Sequence, residues 1–179
     1  MIAGIITPLG NLGALTPQQV CVKPIAAEAV AVGDLVQFDL ASTSATYTAA
    51  ADLTEFDSKK CPFNVVIKTT APSAATNVVA GKGGIFGVVT QAAAAGQRCE
   101  VCVAGVVDAK VTVAAANSCD AGESVLTVGT GVLVPAPATP ANTTGAPVAL
   151  ALATIAASSG TSTIKVLLGS PWSLAVGGA

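Results

Sequence analysis

The chain has 179 residues and a formal net charge of −2, and only 10% of its residues are charged, against about 25% in an average globular protein. Apolar residues make up 52% of it, which excludes a disordered chain because disordered segments are charged and poor in apolar groups. Histidine is absent, so histidine-based catalysis and histidine metal ligands are excluded. No apolar run reaches the roughly 18–20 residues that span a bilayer, and one arginine offers no basic surface for nucleic acid. We expect one weakly charged globular domain that assembles with other subunits, without a membrane or nucleic-acid partner.

The N-terminal segment carries no charged residue before Lys23. Its glycines and prolines prevent a long helix, and it lacks the basic start of a secretory signal. We predict an extended arm over residues 1–23, followed by a single β-rich domain over residues 24–179. Two interpretations of the arm stay open: an edge strand folded on its own core, or a segment that docks on a neighbouring molecule. In the second case its apolar side chains form the assembly interface: Ile2, Ile5, Ile6, Leu9, Leu12 and Leu15.

The rest of the chain is rich in β-branched residues with a period of two, which is typical of strands. No amphipathic helix separates these runs, so we predict an antiparallel β-barrel or β-sandwich. An acidic capping box, Asp52 to Glu55, allows at most one short helix, over Leu53–Lys60. The predicted strands are Val30–Leu40, Asn64–Thr70, Gly84–Thr90, Arg98–Val107, Lys110–Ala114, Ser124–Val128, Val132–Val134, Val148–Ile155 and Thr163–Leu168.

Three similar turns precede strands, and each places a glycine before a polar residue. The glycines are Gly33, Gly96 and Gly122. Glycine tolerates the left-handed conformation that such turns require, and we expect the polar side chain that follows to stay in solvent. The turn at Gly96 should join Gly84–Thr90 and Arg98–Val107 into a hairpin.

The five cysteines do not resemble a disulfide framework, because their number is odd and the chain is long for a small disulfide scaffold. Cys99 and Cys102 have the spacing of a zinc or redox motif. However, the segment reads as a strand, where residues three apart point to opposite faces. No second pair completes a four-thiolate site. We therefore expect reduced, separately packed thiols and synthesis in a reducing cytoplasm.

The residues around the other apparent motifs do not support the functions that those motifs suggest. Gly81-Lys82-Gly83 lacks the first glycine and the serine or threonine of a phosphate-binding loop. Ser162 and Lys165 lie three apart, and residues with that spacing in a strand face opposite sides. The acidic residues 52–57 are followed by two lysines, which favours a solvated turn over a calcium site. We predict no catalytic residue, no cofactor and no metal site.

Four segments, taken in order, resemble the capsid decoration (cement) proteins of tailed bacteriophages. They are Ala31–Val36, Gly84–Gln97, Val101–Val107 and Asp120–Val125. The resemblance implies a β-rich fold, commonly trimeric, bound to the outside of an icosahedral head. The expected partner is then the major capsid protein, whose subunit contacts the protein stabilises, and the expected location is the exterior of the virion after synthesis in the host cytoplasm. The resemblance brings no catalytic residues.

A second function stays open from the sequence: a phage fibre or extracellular carbohydrate-binding β-sandwich module. Sugar binding usually needs a platform of stacking aromatic residues, and aromatic residues make up only 3% of this chain. Trp172, in the C-terminal tail, is better explained as a hydrophobic anchor than as a stacking platform. The assembly function is therefore the preferred prediction.

Overall fold

The computed structural model describes residues 19–39, 65–69, 86–114, 118–136, 148–157 and 160–169. Within these ranges the chain forms ten strands and no helix, which confirms the predicted all-β class. The short helix predicted over Leu53–Lys60 lies outside the described residues. The strands are β1 (Val20–Val22), β2 (Ile25–Ala26), β3 (Leu35–Phe38), β4 (Val65–Lys68), β5 (Phe86–Gln91), β6 (Glu100–Val113), β7 (Val125–Val128), β8 (Leu133–Pro135), β9 (Ala149–Ala151) and β10 (Gly160–Leu168).

Five strands close a β-barrel in the order β6, β10, β9, β7, β8 and back to β6. The pairing of β6 with β8 is parallel and the other four are antiparallel. β10 pairs with β6 along its whole length, from Gly160 opposite Val113 to Leu168 opposite Gly105. Closure means that each of these strands has a partner on both sides, so the barrel removes the open edges of a flat sheet.

The barrel is filled by every second side chain of its strands. On β6 the buried positions are Val107, Ala109, Val111 and Val113, while Asp108 between them is exposed. This alternation is what a strand with one buried face requires. The same core cluster includes residues from the other four barrel strands: Leu126, Val128, Leu133, Ala149, Ala151, Val166 and Leu168.

A second sheet shares β6 with the barrel and continues through β5, β3, β4 and β2. β3 is antiparallel to both β4 and β5, whereas β2 runs parallel to β4. The sheet curls on itself, because Ile25 of β2 forms a bridge with Arg98, just before β6. We call this part of the fold the curled sheet.

The curled sheet is buried on both of its faces. Leu35 and Val88 belong to the barrel's core cluster, whereas their chain neighbours Val36 and Val89 belong to a second cluster that contains Phe38. Successive strand residues point to opposite faces, so burial of both faces calls for adjacent apolar residues. The pairs Leu35-Val36 and Val88-Val89 meet that requirement, while Gln37 is a buried polar residue within β3.

β6 corrects one strand prediction. The sequence predicts two strands, Arg98–Val107 and Lys110–Ala114, but residues 100–113 form one strand of 14 residues. Asp108 does not interrupt it because its side chain faces outward and pairs with Lys165 of β10, at 3.2 Å. The first part of β6 pairs with β5 in the curled sheet, and the part from Gly105 onward pairs with β10 in the barrel.

The predicted hairpin is confirmed, since β5 and β6 pair in antiparallel fashion across the turn at Gly96. The three recurring turns also have the predicted backbone. Gly33, Gly96 and Gly122 have φ angles of 85°, 78° and 78°, in the left-handed region that favours glycine.

Candidate assembly edge

The predicted interface residues of the arm, Ile2, Ile5, Ile6, Leu9, Leu12 and Leu15, lie outside the described residues. The structure does describe the end of that arm. Residues 20–22 form β1, which pairs with β6 of the same chain. This pairing uses one edge of β1, which leaves its second edge and the residues before it for docking on another molecule.

β1 is a short strand on the outer side of β6. Cys21 and Val22 lie opposite Cys102 and Val101, the same residues that pair with β5 on the other side of β6. Two side-chain contacts accompany this pairing: Gln19 Nε2 donates to the Val106 carbonyl, and Arg98 donates to the Lys23 carbonyl at 2.9 Å. These two contacts attach the chain to the core just before and just after β1.

The outer edge of β1 is the candidate assembly site, and we call it the β1 edge. Among the described residues β1 pairs with β6 alone, so its second edge has no strand partner there. Gln19, Val20 and Cys21 are exposed, and Val20 has 53% of its surface accessible. An edge of this kind can accept a further strand through backbone hydrogen bonds.

A charged cluster lies between the barrel and the curled sheet. The Asp34 carboxylate accepts hydrogen bonds from Lys110 at 2.6 Å and from the Ala31 amide at 2.9 Å, and Lys68 lies at 3.5 Å. Only 6% of Asp34 is exposed, so the prediction of a solvated side chain is wrong at this turn. No local pattern predicts this burial, because the three charged residues lie far apart along the chain.

The environment of Asp34 keeps it ionised. Burial alone would raise the pKa of the carboxyl. The hydrogen bonds from Lys110 and Ala31, together with the charges of both lysines, outweigh burial and lower the pKa. The cluster joins the turn before β3 to β4 and β6.

Cys99 and Cys102 point to opposite sides of the sheet, as the strand argument predicts. Cys99 packs in the cluster with Phe38, whereas Cys102 packs in the barrel core. Burial raises the pKa of each thiol to about 11. Such thiols are protonated at neutral pH.

The other sequence motifs bring no reactive groups together in the described residues. Lys165 contacts Asp108 on the neighbouring strand rather than Ser162 on its own strand. Residues 81–83, the acidic residues 52–57 and Trp172 lie outside the described ranges. Where the chain is described, no group of three or more His, Cys, Asp or Glu side chains could hold a metal. The described part also contains no helix long and apolar enough to cross a membrane.

Comparison with known proteins gives little further information. No family model matches the chain, and no curated protein matches it. Among solved structures, the base of the head fiber protein gp8.5 of bacteriophage phi29 aligns over 85% of this chain and 95% of its own, with 14% identity and a TM-score of 0.45. That degree of similarity carries no conclusion about the function of this chain.

Proposed function

We propose that this protein is a structural component of a phage head that binds the outside of the capsid and stabilises contacts between major capsid subunits. The observation that carries the proposal is the β1 edge: an uncharged, apolar N-terminal segment joins the fold at an exposed strand that pairs, among the described residues, with β6 alone. Such a segment can dock by burying side chains and by adding backbone hydrogen bonds at a sheet edge.

The four segments that resemble phage decoration proteins support the proposal. In the fold, Ala31–Val36 covers the turn before β3 and its start, and Gly84–Gln97 contains β5. Val101–Val107 lies within β6, and Asp120–Val125 leads into β7. The resemblance therefore follows strands and turns that build both the barrel and the curled sheet.

The energetics of the arm indicate why it needs a partner surface. Fully burying its six large apolar side chains is worth about 1.5–3 kcal/mol each. Fixing the backbone opposes this by about 1–2 kcal/mol per residue. For a segment of about 20 residues this cost exceeds the gain from the six side chains, so docking also requires backbone hydrogen bonds and further contacts from a partner surface.

We also propose that the protein is a homotrimer, which the decoration-protein resemblance implies and the 10% charged content favours. Light scattering after size exclusion measures the oligomeric state. A mass of three chains across micromolar concentrations supports an intrinsic trimer. A monomer throughout that range contradicts it.

Head binding is best tested with two matched valines. Val20 and Val32 are 53% and 51% exposed, but only Val20 lies on β1. Capsids of the source phage that lack this chain are mixed with purified protein and sedimented. Val20→Asp should weaken binding at least tenfold, about 1.4 kcal/mol, because a charge would be buried at the docking edge. Val32→Asp should bind like the wild type.

A deletion of residues 1–18 separates the arm from the strand. It leaves β1 in place, so the core should fold, by circular dichroism and thermal melting, while head binding is lost. Full head binding by the deleted protein contradicts docking through the arm. Absence of binding by the wild-type protein contradicts the proposed function itself.

A further inference from the structure

Cys21 and Cys102 are direct partners across the antiparallel pair of β1 and β6. Directly opposed residues in such a pair project to the same face of the sheet, with Cα atoms about 4.5–5.5 Å apart. A disulfide bridges Cα atoms about 4.4–6.8 Å apart. The register therefore places these two cysteines where a disulfide can form without moving the backbone far.

The two thiols also interact directly. Burial is the main reason that the pKa of Cys102 is raised to about 11, and the charge and hydrogen bond of the Cys21 thiol raise it further. The Cys102 thiol donates a hydrogen bond to the Ala104 carbonyl, at 3.2 Å. Its sulfur is therefore held at the boundary between β1 and the barrel core.

The remaining described cysteines have different partners. Cys99 packs on the opposite face of the sheet and contacts the Pro24 carbonyl at 3.6 Å. Cys119 is buried in the barrel core and forms a bridge with Ile155. Selectivity for Cys21 and Cys102 thus follows from the fold and not from a sequence motif, since these two residues are far apart in the chain.

Exposure sets the order in which the two thiols react. Cys21 is exposed, whereas Cys102 is buried. A small oxidant in solution therefore reaches Cys21 first, and Cys102 can react only with a group already attached to Cys21.

We propose that Cys21 and Cys102 form a reversible disulfide, by exchange with a low-molecular-weight disulfide, that fastens β1 to β6. Cys21 loses its proton to solvent, and its thiolate attacks one sulfur of oxidised glutathione. The first glutathione thiolate leaves and a mixed disulfide remains on Cys21. Cys102 then attacks the Cys21 sulfur, and its proton passes to the second glutathione thiolate as that thiolate leaves. Both glutathione thiolates take up protons, so one oxidised glutathione is reduced to two molecules of glutathione while two protein thiols are oxidised.

The bond would form whether or not the protein binds a phage head. In a reducing compartment glutathione keeps the two thiols free. In an oxidising medium the disulfide closes the loop from β1 to β6 and restricts the unfolded chain. It thereby holds the strand that connects the N-terminal segment to the core.

The test uses the reduced full-length chain, incubated with oxidised glutathione at neutral pH and then alkylated with N-ethylmaleimide in denaturant so that buried free thiols also react. Trypsin digestion without reduction separates the peptide of residues 1–59, which holds Cys21, from the peptide of residues 99–110. We expect these two peptides to be linked, with fragment ions placing the bond at Cys102. Cys21→Ala is the test variant, and Cys119→Ala is the matched control.

Cys119→Ala should keep the link and Cys21→Ala should lose it, with its Cys99 and Cys102 alkylated. Oxidation should also raise the melting temperature of the wild type and leave that of Cys21→Ala unchanged. Three results overturn the proposal: glutathione retained on Cys21 with Cys102 free, a disulfide between Cys21 residues of two chains, or a bond from Cys21 to Cys99.

Discussion

The barrel and the curled sheet share β6 but differ in how their edge strands are paired. Each barrel strand pairs with two others, because β10 returns to β6. The curled sheet instead relies on the isolated bridge between Ile25 and Arg98 and carries β1 as an additional strand outside β6. The barrel is therefore the self-contained half, and the curled sheet is the half with an edge at which another strand can be added.

The two halves also differ in how their strands are buried. Barrel strands bury one face, so exposed residues such as Asp108 and Lys165 alternate with core residues. The strands β3 and β5 of the curled sheet pack against a core cluster on each side. The structure around a substitution in the curled sheet can therefore relax less than the structure around a substitution on the outer face of the barrel.

The largest expected losses of stability come from truncating a large buried side chain in either core. Phe38→Ala in the curled sheet should cost about 3–5 kcal/mol, and Leu126→Ala in the barrel about 2–5 kcal/mol, because both side chains are fully buried. Since β6 contributes to both cores, each variant should shift a single unfolding transition, as measured by urea denaturation. Two separate transitions, with only one displaced by each variant, would show that the halves unfold independently.

Gly87 of β5 tests the close packing between the strands of the curled sheet. A Cβ at this position would lie 2.4 Å from Val101 Cγ1 and 2.9 Å from the Cys102 carbonyl oxygen, so Gly87→Ala should cost about 1–3 kcal/mol. Gly122 is the control, because a Cβ there meets nothing within 4 Å.

Larger side chains distinguish a steric clash at residue 87 from backbone strain at residue 122. Enlarging residue 87 from alanine to leucine should destabilise the protein further. The same enlargement at residue 122 should add little to the cost of its left-handed backbone, about 1–2 kcal/mol. Thermal melting of the four variants decides this, and an equal dependence on size at both positions contradicts the packing argument.

Asp34→Asn tests the charged cluster between the halves, with an expected loss of about 2 kcal/mol at neutral pH. The folded-state pKa of Asp34 is lowered below its ordinary value of 3.8. The carboxylate therefore stabilises the fold fully above that ordinary value, and this contribution disappears as the pH falls through the folded-state pKa. The difference between wild type and Asp34→Asn should shrink in acid, as measured by denaturant unfolding across pH. A difference that does not change with pH would show that the charge is unimportant.

The smallest effect is expected at the exposed ion pair on the barrel. Lys165 and Asp108 are 3.2 Å apart, but their side chains are 64% and 56% accessible. Such pairs contribute about 0–1 kcal/mol. Lys165→Ala should therefore change the unfolding free energy far less than Asp34→Asn does. An equal loss in the two variants would remove the distinction between the surface of the barrel and the junction.

Local features of the sequence predicted much of this fold. Alternating β-branched residues located the barrel strands, and glycine before a polar residue located turns at Gly33, Gly96 and Gly122. The strand interpretation of Cys99 and Cys102 also predicted that the two thiols face opposite sides. Each of these features depends on residues that are close together in the chain, so the sequence alone predicts it.

Features that depend on distant pairing could not be predicted. Closure of the barrel needs the register between β10 and β6, and the Asp34 cluster needs residues from three separate segments. The alignment of Cys21 with Cys102 likewise depends on where β1 joins the sheet. Asp34 illustrates the limit best: its turn was predicted correctly, but its burial was not, because the lysines that compensate it come from β4 and β6.

The central claim is that the protein binds the capsid exterior through its N-terminal segment and the β1 edge. Electron cryomicroscopy of heads of the phage proposed to carry this protein, assembled without this chain and then saturated with it, tests that claim most directly. The account predicts added density outside the shell, with the barrel facing away from it and the β1 edge against the major capsid protein. Density that contacts the shell through the barrel, with the β1 edge in solvent, would contradict it.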